Sequence, residues 1–161
     1  DEEFEQIKQH PVLGYNCLKN KNVPDNVKQG VLLHHERSDG LGYPYGFKND
    51  EIAPFAAITA IADAYEAMTA TRVYRKGLSP FDVIRIFEVD GKKQFDPVYL
   101  FPLLKHMTNT YLQHRVVLSN GLTGKIVLIN KDELSRPMVM LDDETFLDLS
   151  KSRGVQITEV Q

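Results

Sequence analysis

The chain has 161 residues and a mass of 18.3 kDa, enough to bury roughly 70% of its unfolded surface without a disulfide or a structural metal. With 42% hydrophobic and 25% charged residues, its composition excludes global disorder and fibrous structure. Against 22 Asp plus Glu it carries 19 Lys plus Arg, a net charge of -3, so it lacks the basic footprint that duplex nucleic acid requires.

The single cysteine, Cys17, excludes an intrachain disulfide and a thiolate cluster, so a reducing, cytoplasmic compartment is expected. No run approaches the roughly 18 apolar residues of a membrane helix. No signal-type stretch follows Asp1, and a start without methionine suggests a piece of a longer protein.

Pro11, Pro24, Pro54, Pro80 and Pro97 each precede an apolar pattern of helical period. Proline suits a first helical turn because the amide hydrogen it lacks has no partner there, so about five helices are predicted. Val27, Val31 and Leu32 recur at helical spacing in the second. In the third, Ile58, Ile61, Ala62, Tyr65 and Met68 form the stripe expected to face the core. Ser79-Pro80-Phe81-Asp82, and Asp96 before Pro97, read as helix caps. Between His35 and Pro54, Gly40, Gly42, Gly46 and Pro44 make a structured loop, either a surface connection or a functional wall.

After Leu112 the pattern changes to β-favouring runs at Val116–Leu118, Lys125–Ile129, Met138–Leu141, Thr145–Leu149 and Val155–Thr158, separated by turn signals such as Asn120-Gly121. The expected organisation is a helical part over 1–113 and a small β domain over 114–161, the latter closed into a compact barrel or rolled sheet that limits exposed edges.

His10, His34, His35 and Asp63 come from three predicted helices, and imidazole with carboxylate suits iron, manganese, zinc or nickel inside a bundle. A His-His pair can equally be one core and one exposed histidine. Asp63 sits among apolar residues, so it either has a cation partner or faces solvent.

His34 to Pro44 reads H-H-E-R-S-D-G-L-G-Y-P and closely resembles the signature of the HD-GYP family, bacterial phosphodiesterases of the HD superfamily that hydrolyse cyclic di-GMP. The resemblance continues through Ile7–Leu18, Ala62–Arg75 and Gln94–Pro97, covering about residues 5 to 107. It implies a mainly α-helical bundle of the HD type. It also implies that His10, His34, His35 and Asp63 ligate divalent metal ions, commonly iron with manganese as an alternative, in a di- or trinuclear centre of the complete domain. Glu66, one helical turn beyond Asp63, matches a family carboxylate near metals or substrate, and Arg72 and Arg75 match positions that hold phosphates. A guanidinium suits that task through its planar donor fork. Tyr43 and Pro44 would shape the substrate cleft, and the Gly42-Tyr43-Pro44 loop would offer a surface to a protein partner. The implied reaction is metal-assisted hydrolysis of cyclic di-GMP to linear pGpG, with a further cut to GMP as the family suggests.

The sequence departs from the pattern in one major respect: no His-Asp dipeptide occurs in it. In the family that doublet supplies an aspartate bridging the metals and is followed by a lysine near the leaving group. The expectation is therefore half a site, with no catalytic residue beyond the metal ligands, an inactive isolated chain and self-association through uncovered apolar surface. Smaller departures are Val73, where the family usually has proline, and Glu66, where aspartate is commoner. The alternatives are a degenerate module that binds protein partners, or an HD phosphohydrolase acting on another nucleotide.

Overall fold

A computed structural model describes residues 2–71 and 77–161. Helices α1 (Glu2–Ile7), α2 (His10–Leu18), α3 (Asp25–Leu33) and α4 (Pro54–Thr69) come first, with a 3-10 turn at Asn49–Glu51. Helix α5 (Pro80–Ile86) runs through a π-helical turn, Phe87–Gly91, into α6 (Lys92–Gln94), and α7 (Pro97–Thr110) follows. The strands are β1 (Arg115–Leu118), β2 (Thr123–Leu128), β3 (Met138–Leu141), β4 (Phe146–Asp148) and β5 (Ile157–Val160). The five proline-led helices are α2, α3, α4, α5 and α7. The Ser79 hydroxyl accepts the Asp82 amide at the start of α5, and Asp96 accepts that of Val98 at the start of α7. No helix among the described residues is long and apolar enough to cross a membrane.

The chain divides into two compact units, one of Asp1–Glu66 with Gly91–Leu100 and one of Ala67–Asp90 with Phe101–Gln161. In the first, Leu33, Ile52, Ala56 and Ala57 form the core, with Leu32, Phe47, Ala53 and Tyr99 packed on them. The buried stripe of α4 is Ala56, Ala57, Ala60 and Ile61, while Ile58 and Ala62 of the expected stripe are exposed. Small side chains let helices approach closely. Ile61, the one large residue of the stripe that is fully buried, sits with the three alanines, so the buried side is shifted from that of the expected stripe. Between α2 and α3 the approach is closer still, for a Cβ at Gly14 would stand 2.8 Å from Val31 Cγ1. That contact brings the first turn of α2 level with the last turn of α3.

In the second unit the sheet is antiparallel, in the order β4-β3-β2-β1-β5. It is an open sheet, which overturns the closed barrel, one of the two forms expected from sequence beside a rolled sheet. β4 and β5 are its two edges, and closure would require them to pair with each other. Helix α5 packs against β5, and the edges are only three and four residues long, which limits the unpaired backbone they expose. Val116, Leu118, Ile126 and Val139 supply the buried face, in register across β1, β2 and β3. The Glu88 carboxylate accepts the amides of Leu134 and Ser135 and the Ser135 hydroxyl, fastening the β2–β3 connection to the π-helical turn.

Candidate metal centre

His10 opens α2, His34 caps the C-terminus of α3, and His35 follows it directly. His10 Nδ1 lies 2.8 Å from the Ile7 carbonyl, and His34 Nδ1 lies 2.8 Å from that of Val31. A carbonyl only accepts, so each Nδ1 carries a hydrogen, and in a neutral ring Nε2 keeps its lone pair. Those two Nε2 atoms face each other at 3.1 Å. Between two neutral rings these lone pairs cannot bond each other, and a cation between them, a proton or a metal ion, satisfies both.

His35 joins this pair. One nitrogen from each of the three rings falls within 4.8 Å of the others, so the three can hold a metal ion. Asp63, on α4, places Oδ2 3.8 Å from His35 Nδ1. The pKa of His35 falls from 6.5 to about 4, chiefly because burial disfavours the charged ring and then because His34 repels it. Asp63 opposes the shift and His10 adds to it. A neutral imidazole is the form that ligates a metal. The three imidazoles fit a first-row divalent ion, and Asp63 stands beside His35 but outside that group of three.

The loop after His35 walls the site. The Tyr43 amide donates to the His35 carbonyl at 3.1 Å, and the Tyr43 ring stacks on the His35 ring with centroids 4.7 Å apart. Burial, then the charge of Asp63, raises the Tyr43 pKa, so the phenol stays neutral. Glycine is needed at 42 because a Cβ there would meet the backbone of His35 and Arg37 at 2.5 Å. Arg37 holds Asp39 through two nitrogens, and Asp39 also accepts the Leu41 amide, bracing the turn. A cleft of about 360 Å³ opens here, lined by His34, His35, Tyr43 and Asp63, with Lys8 and Arg37 as its cations.

The structure thus gathers His10, His34, His35, Asp63 and Tyr43. Pro44 follows Tyr43 through a cis peptide bond. Glu66 stands one turn beyond Asp63 on the exposed side of α4, and Arg72 and Arg75 lie outside the described residues. Sequence reasoning passed over Glu36, which is only 2% exposed and accepts the amides of Tyr45 at 2.7 Å and Phe47 at 3.0 Å. The signal was available. A carboxylate ahead of a glycine-rich loop stands where unpaired loop amides need an acceptor.

The profile of the HD domain family matches residues 1–98. The chain is 34% identical over 119 residues to a cyclic di-GMP phosphodiesterase of Thermotoga maritima, covering 71% of this chain and 32% of that protein. It is 27% identical over 159 residues to the cyclic di-GMP phosphodiesterase PdeB of Borreliella burgdorferi, covering 97% of this chain and 42% of that one. Among solved structures, the HDG"Y"P protein Bd1817 from Bdellovibrio bacteriovorus shares the fold with a TM-score of 0.51 at 20% identity, over 65% of this chain and 34% of that one. The chain therefore spans well under half the length of these relatives. With that profile match, and with Gly42-Tyr43-Pro44 closing the run that starts at His34-His35, the chain belongs to the HD domain family in its HD-GYP form.

Proposed function

We propose that this chain is the part of a cyclic di-GMP phosphodiesterase that carries the G-Y-P loop and several metal ligands. His10, His34, His35 and Asp63 hold divalent metal, iron first and manganese as its substitute. The observation that carries this reading is the pair of Nε2 atoms held face to face at 3.1 Å, with a carbonyl behind each ring and His35 beside them. When bound, such a centre supplies Lewis acidity toward a phosphoryl oxygen and lowers the pKa of water. The chain's own residues do the rest. The two backbone carbonyls set the tautomers, Asp63 orients His35, and Tyr43 with Pro44 shapes the wall against which a guanine nucleotide lies. Arg72 and Arg75 offset phosphate charge, and Glu66 borders the substrate. The expected product is linear pGpG, with GMP after a second cut.

The sequence holds no His-Asp dipeptide, so turnover is proposed for the longer polypeptide and metal binding for the chain. Expressed with supplementary iron and desalted, the chain should retain divalent metal. His34→Ala and Asp63→Ala should each weaken retention at least about 10-fold, the size of effect that even supporting groups have on metal sites. Chromatography of cyclic di-GMP incubated with the full-length polypeptide checks the reaction. Metal retention without pGpG would overturn the assignment of substrate, and equal retention by wild type and both variants would overturn that of the ligands.

A further inference from the structure

Among the described residues of the first unit, Glu36 is a buried carboxylate that the metal reading leaves unused. A carboxylate out of water is costly unless both oxygens are bonded, and here Oε1 accepts the Tyr45 amide and Oε2 that of Phe47. Those amides lie nine and eleven residues downstream, on the far side of the G-Y-P turn. Glu36 therefore ties the return arm of the loop to the residue next to His35. With that arm fixed, Gly42 seats on the backbone of residues 35–37, and Tyr43 donates its amide to the His35 carbonyl. The ring of Tyr43 then lies over that of His35, tilted by 29°. Helix α3 and the turn after it fix the backbone of His35, but its ring plane is set by what flanks it: His34 at 4.2 Å between centroids, Tyr43 at 4.7 Å, His10 edge-on at 4.8 Å and the carboxylate of Asp63.

We infer that Glu36 is a positioning residue for the His35 imidazole, acting through the loop amides of Tyr45 and Phe47 and the stacked ring of Tyr43. Its bearing on metal affinity rests on the reading of His35 as a ligand, while its bearing on the ring does not. Glutamine cannot replace it, because one of its two terminal groups is an NH2 that would face an N–H donor. Aspartate, shorter by a methylene, cannot reach both amides.

The test uses the chain labelled with 13C and 15N at histidine, free of metal, and follows the His35 ring resonances, which the Tyr43 ring current displaces. Tyr43→Ala should shift them and Tyr43→Phe, which keeps the ring, should not. Glu36→Gln should produce a shift comparable to that of Tyr43→Ala, and the double variant no further shift, because both act on one arrangement. Amide resonances of β1 to β5 should stay in place, which separates positioning from general unfolding. Should Glu36→Gln not fold, Glu36→Asp, which keeps the charge and loses a bond, is read the same way.

A Glu36 variant that leaves the His35 resonances unmoved, or whose shift adds to that of Tyr43→Ala, overturns the inference. In a parallel titration with cobalt(II), Glu36→Gln should weaken binding about 10-fold. Wild-type chain that takes up no cobalt while the resonances respond as stated would overturn the metal reading and uphold the positioning role. Cobalt bound equally by wild type and Glu36→Gln, with resonances unmoved, would do the reverse.

Discussion

At neutral pH the His35 ring is a free base, because burial and then the imidazole of His34 bring its pKa to about 4 against the partial opposition of Asp63. The consequence for stability follows from proton counts. Between the ordinary value of 6.5 and the folded value of about 4, the unfolded chain binds a proton at this position and the folded chain does not. Acid therefore favours unfolding in that window, and the associated stability is fully present above 6.5 and lost on the way down to about 4. Thermal melts of the metal-free chain across this range should show a falling midpoint, and His35→Asn should flatten the fall. An identical slope in the variant would assign the effect to other groups. Gly42 offers a test that does not depend on protons. Gly42→Ala puts a methyl 2.5 Å from the Arg37 nitrogen and the His35 oxygen. Backbone on both sides cannot yield cheaply, so chemical denaturation should show a loss of about 2 kcal/mol.

The helices owe their positions to different devices. Helix α5 starts at a true cap, since the Ser79 hydroxyl accepts the Asp82 amide at 3.2 Å with Pro80 next in line. Ser79→Ala should cost about 1 kcal/mol in a denaturation curve, and Ser79→Thr, which keeps the hydroxyl that also donates to Asp82 Oδ2 at 2.9 Å, should recover most of it. Helix α4 shows what periodicity misses. Of the expected stripe Ile61 is fully buried, but Ala56, Ala57 and Ala60 complete the buried side and Ile58 is 43% exposed. Residue size alone does not tell which side a neighbour will cover. That depends on how closely α3 comes, and Gly30 sits opposite Thr59 where the two meet. The shift has a chemical consequence, for it leaves Asp63 on the open side of the helix, at the cleft and beside His35.

Across the molecule, the candidate centre and the sheet belong to different compact units. Every ligand proposed here, and every residue lining the cleft, falls in the first. A metal that binds only the folded state stabilises it by mass action, about 2.7 kcal/mol at 100 times the dissociation constant. Hydrogen exchange with and without manganese should therefore slow most at amides of α2, α3 and the loop to Pro54. Strands β1 to β5 should change less. Uniform slowing over all of them would place the ion elsewhere. The relative from Borreliella burgdorferi aligns over 97% of the chain, so the sheet is included in that likeness.

Much was legible before any coordinates. Proline at helix starts, caps at Ser79 and Asp96, and turn residues between β-branched runs are local signals, since a few neighbouring residues settle the backbone. All five helices they marked are present, as are five strands with shifted ends. The run from His34 to Pro44 was specific enough to identify the family. What residues distant in the chain do to one another was not legible. That two Nε2 atoms 24 positions apart meet at 3.1 Å follows from the close approach of α2 and α3 at Gly14. That Glu36 lies buried follows from the path of a loop returning over it. That the sheet stays open shows only in the strand order, in which the edge strands β4 and β5 do not pair. Each is settled by packing between remote segments, and spacing along the chain carries no record of it.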